Sequence, residues 1–93
     1  MPGSVAGNEP VNEECRRLVQ QFKSAAEQRL GRHYSTWEPV SMRQQCVAGV
    51  NYSVKVNAGS EYVHLKIYAH FNDPSQNQLS DARGGLNYNT QLD

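Results

Sequence analysis

At Gly31 the hydrophobic rhythm of the chain changes from that of a helix to that of a strand. Before it, Val11, Cys15, Leu18, Val19, Phe22, Ala25, Ala26 and Leu30 keep to one helical face, with Gln20, Gln21, Lys23, Ser24 and Glu27 on the other. That spacing predicts one amphipathic helix of about five to six turns. Pro10 suits its first turn with Asn8 as the N-cap, and Glu13 and Glu14 follow at the positive end of the helix dipole. Gly31 is placed to close the helix in a left-handed conformation.

After Gly31 the period is two. Val40, Met42 and Cys46 fall on one face, with Ser41, Arg43 and Gln45 on the other. Val50, Tyr52, Val54 and Val56 then alternate with Asn51, Ser53 and Lys55, and Asn57-Ala58-Gly59-Ser60 reads as a turn. A third strand places Val63, Leu65, Ile67 and Ala69 inward and Tyr62, His64, Lys66 and Tyr68 outward. One apolar face per strand is the mark of an antiparallel sheet with one wet side, and a helix laid on the dry side buries both apolar surfaces. The expected class is therefore α+β. Phe71-Asn72-Asp73-Pro74-Ser75 reads as a loop. Leu79, Ala82 and Leu86 then suit a last strand that Gly84-Gly85 would weaken, for four to five strands in all.

Ninety-three residues give one domain, 1–93, with residues 1–9 expected as a flexible arm. Nine basic and nine acidic residues cancel, and no basic cluster exceeds Arg16-Arg17, which argues against nucleic acid. No apolar run is long enough to span a bilayer, so no membrane is expected. The opening MPGSVAGNEP has neither a basic start nor an apolar core, and the expected location is cytoplasmic. Cys15 and Cys46 are too few for a disulfide framework and match no metal spacing; both are expected to be buried and reduced.

Catalysis finds no constellation. Cys46 with His33, His64 or His70 is the one candidate, yet its strand position points it inward, where a lone thiol is inert. The histidines show no HxH or HxxxH spacing, no carboxylate pair suggests acid and base, and no glycine motif suits a phosphate. The chain reads as no enzyme, with no metal and no cofactor.

One stretch is left over. Gln45-Cys46-Val47-Ala48-Gly49 joins two strands through a small apolar tip. On the tripeptide Val47-Ala48-Gly49 alone, a plain β-hairpin turn is an equal reading. The stretch fits Q-x-V-x-G, however, and its flank, Val47-Ala48-Gly49-x-Asn51-Tyr52-x-Val54-Lys55-Val56, resembles the VAGTNYxIKV of the stefins. These are the type 1 branch of the cystatin family of cysteine-protease inhibitors. His64-Leu65-Lys66-Ile67-Tyr68 is similar to their HLKVF strand. The resemblance runs from about residue 10 to 69.

It implies the cystatin fold, one long helix on a wrapped antiparallel sheet. It also implies a partner: papain-like cysteine proteases, the cathepsins among them. In that family an N-terminal arm and two hairpin loops form a wedge that occludes the protease groove reversibly. Carried over, Gly3 would be the arm glycine. Val47, Ala48 and Gly49 would form the central tip, with Cys46 in its free position. Gln45 would fix the hairpin through side-chain hydrogen bonds. Phe71, Asn72, Asp73 and Pro74 would form the second loop, where the family's proline is displaced and Phe71 supplies the apolar contact. The expected interface is about 800 Å² per partner.

The last strand lacks the family's LTLSNYQ-like pattern. With the altered second loop, this motivates an alternative: a cystatin-fold interaction module that does not inhibit. A third reading is a switch through Cys46. The expected state is a monomer, with a domain-swapped dimer opened at the Val47-Ala48-Gly49 turn as a further state.

Overall fold

The computed structural model describes residues 8–92. Asn12 starts the helix: its side chain accepts a hydrogen bond from the Cys15 N–H at 2.8 Å, and Glu13 and Glu14 occupy the first turn. The N-cap is thus Asn12 and not Asn8. The segment before it is held elsewhere, because Glu9 exchanges two main-chain hydrogen bonds with Met42, at 2.7 and 3.1 Å, as an isolated antiparallel bridge. The arm predicted for residues 1–9 therefore does not extend to Glu9.

α1 (Glu13–Gln21) and α2 (Lys23–Leu30) flank Phe22, whose φ of −97° and ψ of 13° leave the helical range. The Phe22 N–H still donates to the Leu18 carbonyl, and the Ala26 N–H to that of Phe22, both at 3.0 Å. The predicted single helix is thus two segments whose hydrogen-bond ladder passes through one irregular residue. Gly31, at φ 69° and ψ 31°, closes α2, its N–H donating to the Glu27 carbonyl at 2.8 Å.

The sheet runs β1 (Glu38–Val47), β2 (Gly49–Asn57), β3 (Tyr62–Ala69) and β4 (Gln78–Leu86), antiparallel throughout and in the order β1-β2-β3-β4. A 3-10 turn, Pro74–Gln76, lies between β3 and β4. β4 passes through Gly84 and Gly85, and its pairing with β3 slips at Tyr62/His64 and again at Lys66/Ile67. Cys15, Leu18, Val19 and Ala26 of the helix meet Met42, Val54, Val56, Val63, Leu65 and Ile67 of the sheet in one core. Burying each of the larger of these side chains contributes roughly 1.5–3 kcal/mol.

Periodicity missed two aromatic residues that seal this core. Trp37 and Tyr34 are buried and stacked, with ring centroids 5.3 Å apart. The Trp37 indole N–H donates to the Val19 carbonyl at 2.9 Å, tying α1 to the entry of β1. The Tyr34 hydroxyl donates to Glu61 at 2.6 Å, and its main-chain N–H donates to Glu27 at 2.8 Å.

Three strand expectations are corrected. Val40 is exposed: the β1–β2 register shifts between Pro39 and Ser41, so Pro39 takes the buried place and Val40 is the bulged residue. Cys46 is also exposed, because the sheet extends past the helical cover at its hairpin end. The outer face of the sheet is not uniformly wet either. Lys55 and His64 are buried there, with Lys55 Nζ 3.0 Å from His64 Nε2 and donating to the Thr90 carbonyl at 2.5 Å. Residues 87–92 cover them; the Arg43 guanidinium donates to the Leu92 carbonyl at 3.1 Å, and the Leu92 side chain is 2% exposed.

Candidate functional site: one end of the sheet

The ladder between β1 and β2 continues to the pair Val47–Gly49, which leaves Ala48 alone at the bend. Gln45, Cys46, Val47 and Ala48 are all exposed, and Val47 presents half of its surface to solvent. Gly49 has φ 126°, a region that favours glycine. It also lies against β3: a Cβ there would stand 2.5 Å from the Ala69 carbonyl oxygen and 3.0 Å from the Tyr68 ring and hydroxyl. The glycine of the motif is therefore a requirement of close approach between strands as much as of the turn.

The Tyr68 hydroxyl donates a hydrogen bond to the Ala48 carbonyl. Gln45 stands opposite Asn51 in the ladder with its side chain exposed. The side chain that ties the tip down is therefore Tyr68, on the neighbouring strand. The one sequence signal for it is a tyrosine where the HLKVF pattern ends in phenylalanine.

The second loop follows directly from Ala69. His70 donates its N–H to the Asn77 side chain at 2.7 Å, and its Nδ1 accepts from the main-chain N–H groups of Asn72 and Asp73, at 3.3 and 3.1 Å. Asp73 caps the 3-10 turn, accepting from the Ser75 hydroxyl at 2.7 Å, the Ser75 N–H at 3.1 Å and the Gln76 amide at 3.1 Å. These bonds, the Ser75 hydroxyl first, hold its carboxyl below the usual carboxylate range. Pro74 begins the turn so capped, which gives the displaced proline a place in the loop. Phe71 is 71% exposed and stacks on the His70 ring at 4.7 Å, while that ring meets Tyr68 edge-on.

The structure thus brings Cys46, Val47, Ala48 and Gly49 to the same end of the sheet as Phe71, Asn72, Asp73 and Pro74. Gly3 lies outside the described residues. The antiparallel Glu9–Met42 bridge, and the Gln44 amide donating to Glu9 at 3.3 Å, place Glu9 beside the part of β1 that leads to the tip. Among the described residues, no group of three or more His, Cys, Asp or Glu side chains could hold a metal ion. No helix among them is long and apolar enough to cross a membrane. Cys15 is fully buried, and burial pushes its thiol up to about 11, so it stays protonated and unreactive.

A helix against a four-stranded antiparallel meander, with a hairpin tip and a capped loop side by side at one end, is the cystatin fold. No protein-family model matches the chain. Curated relatives do: Cystatin-A1 of Sus scrofa is 33% identical over 85 residues, covering 90% of this chain and 81% of the relative. Human Cystatin-A is 34% identical over 79 residues, 84% of this chain and 79% of the relative. Human Cystatin-B is 32% identical over 69 residues, 73% and 70% respectively. The chain belongs to the stefin branch of the cystatins, a family of cysteine-protease inhibitors and not of enzymes.

Proposed function

We propose that this chain inhibits papain-like cysteine proteases, the cysteine cathepsins among them, by reversible occlusion of the active-site groove. The observation that carries the reading is the shared end of the sheet: Val47 is half exposed and Phe71 largely so, on loops joined through Tyr68 and His70. Exposed apolar side chains on hydrogen-bonded loops suit a groove, since little ordering remains to be done on binding. Val47, Ala48 and Gly49 enter its centre, where small side chains let the main chain come close. Cys46 flanks them and Gln45 supports the hairpin stem. Phe71, with Asn72, Asp73 and Pro74 as its frame, makes the apolar contact on one side, and the arm around Gly3 lies along the other. No bond is cut, because no peptide is offered in attack geometry.

The reading includes a cytoplasmic monomer as the working form. Opening of the Val47–Gly49 turn would exchange strands between two chains and bury the tip, so a swapped dimer would be inactive.

The test is a titration of the purified protein against active-site-titrated papain. Stoichiometric inhibition at nanomolar to micromolar concentration is expected, with Val47→Asp folding normally and losing at least about 100-fold in affinity, as truncating or charging a central contact does. No inhibition at micromolar concentration would leave the non-inhibitory interaction module as the better account.

A further inference from the structure

Resting on the inhibitory reading, we infer that Tyr68 is a positioning residue that presets the hairpin tip for the groove. The tip has little internal support: Val47 and Ala48 are exposed, and Ala48 lies outside the β1–β2 ladder. Its main-chain course is instead fixed from β3. The Tyr68 hydroxyl holds the Ala48 carbonyl, and the same ring occupies the space where Gly49 lacks a side chain. Tyr68 is itself held on both sides, opposite Asn51 of β2 and Gln78 of β4, with the His70 ring edge-on to its own at 6.3 Å. A rigid strand thus sets the shape of a loop it does not belong to, and through His70 the same side chain adjoins the Phe71 loop.

A phenylalanine would keep the ring packing and lose the carbonyl contact. In the free protein the tip of such a variant divides its time among several turn conformations, of which one fits the groove. Apparent affinity then falls by the fraction of time spent in that one. The loss appears in association, since the fit, once made, is unchanged.

The experiment compares the parent, Tyr68→Phe and Tyr62→Phe, the last a control on the same strand whose ring faces Tyr88. Tyr68→Phe is expected to stay folded with a slightly lowered unfolding midpoint, since the lost contact also supports the folded state, to show faster amide exchange at Ala48 and Gly49, and to associate with papain about three- to tenfold more slowly, the worth of one ordinary hydrogen bond. Its dissociation rate is expected to stay within about twofold of the parent's. Tyr62→Phe is expected to match the parent in every respect. Equal association rates for parent and Tyr68→Phe would overturn the inference, as would an equal loss in Tyr62→Phe. Should the parent fail to inhibit, the functional reading falls first, and unchanged exchange at the tip of Tyr68→Phe separately refutes the positioning.

Discussion

A first side-chain carbon on Gly49 would stand 2.5 Å from the main-chain oxygen of Ala69. That contact is with backbone, so neither strand can yield without breaking the β2–β3 pairing that begins at Val50 and Ala69. Gly49→Ala is therefore expected to destabilise the protein by about 2 kcal/mol or more, from the close contact and the φ of 126° together. The midpoint of urea denaturation measures it, and a parental midpoint would refute the close approach. Substituting Gly49, by tryptophan above all, thus changes folding together with binding. Val47, half exposed at the tip, is the position that separates the two.

The two cysteines should differ sharply toward a thiol reagent. Cys46 is exposed beside the tip, whereas Cys15 is buried and its thiol is raised to about 11 by desolvation. Under native conditions iodoacetamide is expected to add one label, on Cys46, and to reach Cys15 in denaturant alone. Mass spectrometry of the digested protein reads this directly. Comparable labelling of both thiols in the native state would contradict the burial of Cys15.

Much of this arrangement is legible before folding is known. The switch of period at Gly31 locates the helix and the strands because burial on one face is a property of local spacing. Local spacing does not say where cover ends. Cys46 has the parity of Met42, yet it is exposed at the hairpin end, where no described residue buries it, so parity alone does not place it. The reverse happened at Lys55 and His64, which have outward parity and are buried by residues 87–92, a stretch with no apolar period to announce it. At Val40 a bulge shifts parity within the strand. At the site, Q-x-V-x-G identified the tip. The Tyr68–Ala48 contact depends on the β2–β3 register and on one hydroxyl, neither of which a motif contains.

Acid should weaken the fold through the carboxylates that meet Tyr34. The hydroxyl of Tyr34 hydrogen-bonds Glu61, and its main-chain N–H does the same for Glu27; each bond is the leading cause of a carboxyl held below its ordinary value of 4.5. A carboxyl with a depressed folded pKa stabilises the protein when ionised. That contribution is complete above the unfolded value and lost as pH falls through the folded one. Thermal midpoints are expected to be level from neutral pH down to about 5 and to fall below 4.5. Glu61→Gln should be less stable than the parent at neutral pH and flatter in acid. On the alkaline side, burial pushes the Tyr34 hydroxyl from 10 up to about 12, so ionisation in the unfolded chain erodes stability between those values. Burial also raises the Tyr52 hydroxyl, so Tyr34→Phe should lessen that alkaline slope and not abolish it, and an unchanged slope would show that Tyr34 contributes none of it.

The cover over Lys55 gives the last prediction. Leu92 is 2% exposed, and its carbonyl accepts from Arg43, while the Thr90 carbonyl accepts from the buried Lys55 ammonium. Burial depresses the Lys55 amine, so the Thr90 carbonyl is part of what keeps a charge tolerable there. Leu92→Ala removes the apolar anchor and is expected to cost about 2 kcal/mol, the low end for a buried leucine. Tyr88→Ala, in the same segment but 64% exposed, should cost well under half of that. Both variants should inhibit papain as the parent does, because the segment covers the outer face and not the hairpin tip. A Leu92→Ala midpoint equal to the parent's would mean that residues 87–92 contribute nothing to the folded sheet.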